Sequence, residues 1–387
     1  MEIRKHWRIT PEIDFLNHGS FGATPTVVLQ RQRELADQLE SDPIEFLAPE
    51  RSLLPKLEAV RIRIAKLLCV DAESLVFVRN ATDGVNAVLH SFPFNDDDEV
   101  VITNHGYNAC NNAVKYACRR SNAKVRIAEI PFDGVTEEVV LERVKSALNS
   151  KTRLLVIDHV TSPTALVFPV KRLIDLAHSS GARVLVDGAH APGMLDVDLE
   201  TLGADYYTGN HHKWWCGPKA SGFLFVDSKW QYEVRPTVIS HGMNQIPAGS
   251  SRFRAEFDWV GTYDPTPLLA LPSALDFLDS LHPSGLAGLM DSNHRNALAA
   301  RRILCESLTI DSVPPSSMIG SMAAVPLPLD NAEEAEQLRK DLRSQQFEVP
   351  VFEACGRQIL RVSMQAYNSL GQVERLGQVL RDRFGKR

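Results

Sequence analysis

The chain has 387 residues, of which 44% are apolar and 23% charged, with a net charge of −6. That length supports one large core and a second, smaller domain, and that balance is typical of a soluble globular protein. The negative charge offers no general attraction to nucleic acid or anionic membranes, and no run of about 18 apolar residues marks a membrane span.

Residues 1–10 lack the apolar centre of a signal peptide. The six cysteines form no CxxC and no dense framework, so they read as reduced thiols of a cytoplasmic protein. Residues 1–25 form an entry segment ending in Phe15-Leu-Asn-His-Gly-Ser-Phe-Gly-Ala-Thr-Pro25. It is read as a loop, either a plain surface turn or the edge of an active site. Residues 26–41 have helical periodicity, Pro43 and Pro49 break the chain, and a second helix is expected over 53–68. Strands are then expected at 75–78, 99–103, 124–128, 154–158, 184–187, 205–208 and 222–226. Helices fall between them at 84–91, 109–119, 136–148 and 170–180. This alternation predicts a mostly parallel seven-stranded α/β sheet, whose ligands sit beyond the carboxyl ends of its strands. Residues 227–265 are loop-rich, and 268–281 and 292–308 read as helices. From about residue 318 an α+β pattern follows, with strands at 323–327 and 360–362 and helices at 332–345 and 371–384. The expected organisation is an entry segment (1–25), a large domain (26–265) and a small C-terminal α+β domain (266–387).

The residues with chemistry in them lie on the links. Lys213 sits in a short polar run between two apolar strands, where His, Asn, Gly and Pro suit a tight turn. A lysine so held, its pKa lowered by a partly buried, cationic setting, forms Schiff bases with carbonyl cofactors. On an open surface it is a cation–π partner of Trp214. Asp187 ends a continuous apolar strand. A carboxylate there either caps a helix or keeps the ring nitrogen of pyridoxal phosphate (PLP) protonated. Asn80-Ala-Thr-Asp-Gly84 opens a helix; its N–H groups and the Thr82 hydroxyl suit a phosphate, and Thr82 or Asp83 equally suits a cap. In His105-Gly-Tyr107 an aromatic either covers a flat ring or packs in a core or rim. Gly261-Thr262 is a turn with a hydroxyl. Arg361, a charge inside an apolar strand pattern, either binds a carboxylate or closes an internal ion pair. His211 and His212 point apart and have no His/Cys cluster nearby, so no metal site is expected.

Together Leu16-Asn-His-Gly-Ser-Phe-Gly22, Asn80-Ala-Thr82, Asp187-Gly-Ala-His-Ala-Pro-Gly193, Tyr207-Thr-Gly-Asn-His-His-Lys-Trp214, Phe257-Asp-Trp-Val-Gly-Thr262 and Leu360-Arg-Val-Ser363 run in one order across nearly the whole chain. In this the sequence resembles the class V aminotransferase family of PLP enzymes, in its isopenicillin N epimerase-like branch. The resemblance implies a PLP-dependent transferase fold of type I and a homodimer with a shared active site. Lys213 would carry the cofactor, Asp187 would pair with the pyridinium nitrogen, and His190 would approach the phenolic oxygen. Ala81 and Thr82 would bind the phosphate, helped by Asn210 and His212. Tyr107 would stack on the ring, with His105 as the alternative. Gly261 and Thr262 would reach the neighbouring subunit's cofactor phosphate. Arg361 would hold the substrate carboxylate, with Asn17 and Ser162 lining the substrate side.

One departure matters. Cysteine desulfurases of this superfamily carry a nucleophilic cysteine on a long mobile loop, whereas here Cys355 lies in a short link and is expected close to Arg361. The expected reaction is Cα deprotonation of an amino-acid-like substrate followed by epimerisation. The alternatives are β-elimination by a C–S lyase and transamination, with the desulfurase reading weakened.

Overall fold

The computed structural model describes residues 3–311 and 314–385. The ends of the expected entry and C-terminal segments, residues 1–2 and 386–387, lie outside the described residues, as do 312–313. Seven strands form the central sheet: β1 (Leu75–Val78), β2 (Glu99–Thr103), β3 (Lys124–Ala128), β4 (Thr152–Asp158), β5 (Arg183–Asp187), β6 (Tyr206–Asn210) and β7 (Gly222–Val226). Their spatial order is β1-β7-β6-β5-β4-β2-β3, and only β7 runs antiparallel to its neighbours. The inner strands β5, β6 and β7 are almost wholly buried, as strands covered on both faces are.

Between the strands lie α1 (Ala81–Ser91), α2 (Asn108–Arg120), α3 (Glu137–Ala147) and α4 (Val170–Ser179). Helix α1 begins three residues earlier than its periodicity suggests. Asn80, rather than Thr82 or Asp83, caps it, accepting from the Asp83 amide at 3.0 Å. Gly84 has a packing reason: a Cβ there would lie 2.2 Å from Thr208 Oγ1 on β6. Because β2 leads outward to β3 while β4 leads the other way to β5, the order reverses at the β2/β4 border. The crevice beyond the strand ends at that border is where such sheets hold ligands.

Two expectations need correction. Residues 227–265 contain a helix, Arg252–Asp258, whose inner face Phe253 and Phe257 bury. The entry segment is not free loop: Asp14–Phe15 pairs in parallel with Phe347–Glu348. Leu16 O also accepts from the Ser363 amide at 2.8 Å, so the buried backbone finds its partners in the C-terminal part of the chain.

That C-terminal part carries the strands β8 (Met322–Leu327), β9 (Val351–Ala354) and β10 (Arg357–Ser363) in the order β9-β10-β8. Its own core includes Leu304, Val325, Leu338, Leu360, Val362, Val373 and Leu376. Strand β9, absent from the sequence reading, forms a hairpin with β10 through Cys355-Gly356. Both loop residues have positive φ (51° and 70°), the two-residue turn that matches strand twist.

Candidate active site

Three strand ends and one turn converge. Asp158 ends β4 and Asp187 ends β5, and the two are Cα partners across the parallel pair. Asn210 ends β6, and the chain then turns through Lys213 before β7. The turn is tied by His211 N to Ser221 O at 3.0 Å and by Gly217 N to His211 O at 2.9 Å. The His211 ring stacks against Trp215 and Phe223. Lys213 is thus held on a rigid link, and its side chain is buried.

The entry segment locks this turn from above. Gly22, at φ +67°, passes so close that a Cβ would lie 1.8 Å from the His212 carbonyl oxygen. His18 is fully buried, 2.9 Å from Lys213 O through Nε2 and 2.8 Å from the Tyr367 hydroxyl through Nδ1. A carbonyl only accepts, so Nε2 donates and Nδ1 accepts from Tyr367. Burial lowers the His18 pKa to about 3, so the ring is neutral.

Lys213 Nζ stands 3.0 Å from His190 Nε2. Burial lowers the lysine pKa to about 8, Asp187 opposing the shift and Arg361 adding to it. About a tenth of the side chain is then a free amine at pH 7, against less than a thousandth for an ordinary lysine. His190 is pushed well below its usual value, first by burial and then by Lys213, so it too is neutral. With the ammonium donating to Nε2, the hydrogen sits on Nδ1, which is buried and has no partner among the described residues.

Arg361 lies on β10 with no exposed surface and, among the described residues, no carboxylate partner. Its Nη1 donates to Ser162 O at 2.5 Å and faces Ser162 Oγ at 3.4 Å. Its Nη2 reaches Ser20 Oγ at 3.2 Å and Asn17 Oδ1 at 3.4 Å. Nε has no partner among the described residues, and burial drives the guanidinium down to about 9. This is a buried cation lacking an anion. Asn17 is oriented by Ser20 Oγ at 2.6 Å and Glu348 Oε1 at 3.3 Å.

At the start of α1, Asn210 Oδ1 accepts the Ala81 amide at 2.9 Å, joining the first turn to the end of β6. His212, whose Nδ1 donates to Ser221 O at 3.3 Å, adjoins Lys213; burial lowers its pKa to about 4. The two candidates for the ring face differ in setting. His105 is buried, and its Nε2 faces Ile130 O at 3.0 Å and its Nδ1 Thr164 Oγ1 at 2.7 Å. Tyr107 is 43% exposed and opens α2, its amide donating to Asp158 Oδ1 at 3.3 Å. Gly261 has positive φ (98°), and the exposed Thr262 lies on the wall of a cavity of about 220 Å³ that Arg79, Asp83 and Ser221 also line.

The expected closeness of Cys355 to Arg361 is corrected. Cys355 occupies the hairpin tip, and four residues of extended strand put Arg357 and Arg361 about 13 Å apart. The thiol is pinned 3.2 Å from His105 Nε2, and burial raises its pKa to about 12.

Sequence reasoning passed over His18, Ser20, Cys110, Asp158 and Tyr367. Asp158 ends an apolar strand just as Asp187 does, and the same rule finds it. Cys110 lies one helical turn beyond Tyr107, a spacing that puts both on one face.

A buried amine of lowered pKa beside a strand-end carboxylate, an unpartnered imidazole N–H and an unpaired guanidinium fit a phosphorylated aldehyde of PLP type and a substrate carboxylate. The chain matches the Aminotransferase class-V family over residues 22–376. It is 32% identical to isopenicillin N epimerase of Amycolatopsis lactamdurans, over 98% of this chain and 97% of that protein. It is 30% identical to a probable chloroplastic L-cysteine desulfhydrase of Arabidopsis thaliana, over 95% and 82%. A cysteine desulfurase structure from Thermococcus onnurineus NA1 superposes with a TM-score of 0.84 at 18% identity, covering 100% of this chain and 98% of that one. The chain therefore belongs to the class V aminotransferase family and is a PLP-dependent enzyme built on the type I fold.

Proposed function

We propose that this enzyme removes the Cα proton of an amino-acid substrate with Lys213 as the base, and that its reaction is an epimerisation without a thiol carrier. The observation that carries the reading is a buried cation without an anion set beside a buried amine of lowered pKa. Arg361 lacks an anion, and Lys213, its pKa lowered to about 8, faces neutral His190. PLP, when bound, supplies an aldehyde for an amine and a ring that accepts electrons from Cα.

The remaining roles belong to the chain. Lys213 anchors the cofactor and, once displaced by the substrate amine, takes the Cα proton on Nζ. Asp187 keeps the ring nitrogen protonated, and the Nδ1–H of His190 is free for the phenolic oxygen. Thr82, the first turn of α1 and His212 hold the phosphate, with Asn210 bracing Ala81. Tyr107, rather than the occupied His105, covers the ring. Arg361 binds the α-carboxylate with two donors, and Asn17 and Ser162 keep the fork oriented. Gly261 and Thr262 reach the active site of a second copy. Exposed Val238, Ile239, Met243 and Ile246 on the neighbouring loop support such an interface.

The epimerase relative supports proton return to the opposite face of Cα, and the desulfhydrase relative supports a second reading, β-elimination. Incubation in heavy water with amino acids and cysteine conjugates separates them. Deuterium at Cα of racemised substrate, without keto acid, is the expected result. Keto acid released with ammonia and a thiol would replace the epimerase reading by the lyase.

A further inference from the structure

We propose that Cys110 is a positioning residue for Asp187: its buried thiol donates to Oδ2 and fixes the plane in which this carboxylate meets the pyridine nitrogen. The inference rests on the role given to Asp187 above.

Cys110 lies on α2, buried, with Sγ 3.1 Å from Asp187 Oδ2. Burial, reinforced by the charge of Asp187, raises the thiol pKa well above its usual value. The sulfur therefore keeps its hydrogen and donates. The other carboxylate oxygen, Oδ1, accepts the Ala189 amide at 2.9 Å. Each oxygen has two acceptor directions, so one fixed donor on each sets the rotation of the carboxylate and leaves one direction of Oδ2 for an incoming N–H.

The donor is itself placed. Asp158, the Cα partner of Asp187 on the next strand, accepts the Tyr107 amide at the start of α2 and so anchors the turn that carries Cys110. Asp158 is buried, and burial followed by repulsion from Asp187 pushes its pKa well above the carboxylate range. It anchors the turn by accepting the Tyr107 amide, and its negative charge is disfavoured beside Asp187. A thiol is a weak donor, so it orients Asp187 while withdrawing little of the charge a pyridinium needs.

The test compares wild type, Cys110→Ala, Cys110→Ser, Asp187→Asn and Cys118→Ala, the last removing a buried thiol further along the same helix. Apo-protein is titrated with PLP by tryptophan fluorescence, and the visible absorbance of the loaded protein is followed against pH. Cys110→Ala is expected to weaken PLP binding about tenfold and to move the absorbance midpoint; Cys110→Ser should return affinity to within about threefold. Cys118→Ala should change neither. Wild-type affinity and midpoint in Cys110→Ala, or the same loss in Cys118→Ala, would overturn the proposal. If Asp187→Asn leaves both readouts unchanged, the role of Asp187 itself falls; if it abolishes them while Cys110→Ala does not, only the role of Cys110 falls. Should Cys110→Ala not fold, Cys110→Val, near in size and without a donor, takes its place with the same expected loss.

Discussion

Replacing Arg361 by methionine separates function from stability. The guanidinium is fully buried without an acid partner, and burial alone holds its pKa down to about 9. That depression corresponds to about 5 kcal/mol of uncompensated burial. Methionine fills similar volume without the charge, but it strands Ser162 O at about 1–3 kcal/mol, while Ser20 Oγ and Asn17 Oδ1 keep their bond to each other. The net expectation is an apo-protein more stable by roughly 2–4 kcal/mol, within the range found when buried ion pairs are replaced by apolar residues. Affinity for an amino acid should fall by about 2–5 kcal/mol, at least roughly 30-fold, while an amine without a carboxylate binds as before. Urea unfolding of apo-protein gives the first quantity and substrate-induced absorbance changes give the second. An Arg361→Met protein that is less stable by several kcal/mol yet binds amino acids normally would refute the reasoning and make Arg361 a structural strut.

Cys355→Ser should keep most activity and leave no protein-bound persulfide, because the thiol sits on a two-residue turn pinned to His105; mass spectrometry during turnover checks this, and a variant that binds substrate but cannot turn over would restore the desulfurase reading. Neutral His18 contributes stability that is fully present above the unfolded histidine pKa of 6.5 and is lost as pH falls toward its folded value of about 3. At pH 5 the loss from this residue is about 2 kcal/mol, so the urea midpoint should fall between pH 7.5 and 5, and less so in His18→Asn. Mixing Lys213→Ala with Gly261→Trp subunits should restore some activity in heterodimers if Thr262 serves the partner's site, and none if each site is complete in one chain.

Much of this was legible before any coordinates. Strands such as those at 154–158, 183–187 and 222–226 show as apolar runs because inner strands are buried on both faces, and Lys213, Asp187 and Arg361 stand out as charges where such runs end or pass. What stayed hidden depends on contacts distant in sequence. His18 looks like one polar residue in a Gly-rich run; only the fold carries it to Lys213 O, 195 residues on. Cys110 and Cys118 share one helix, and nothing local tells which faces Asp187. Strand β9, short and interrupted by Glu353, has no clear alternation and forms because β10 offers it an edge. Helix Arg252–Asp258 was lost among the turn residues around it.

The central claim is that Lys213 carries the cofactor, and borohydride trapping followed by peptide mapping tests it most directly. Lys219, in the same link between β6 and β7 and also lowered in pKa by burial, is the built-in competitor. The reduced cofactor mass is expected on the peptide containing Lys213, with none on Lys219 and none in Lys213→Ala. A label on Lys219, or on any other lysine of the wild-type enzyme, would contradict it.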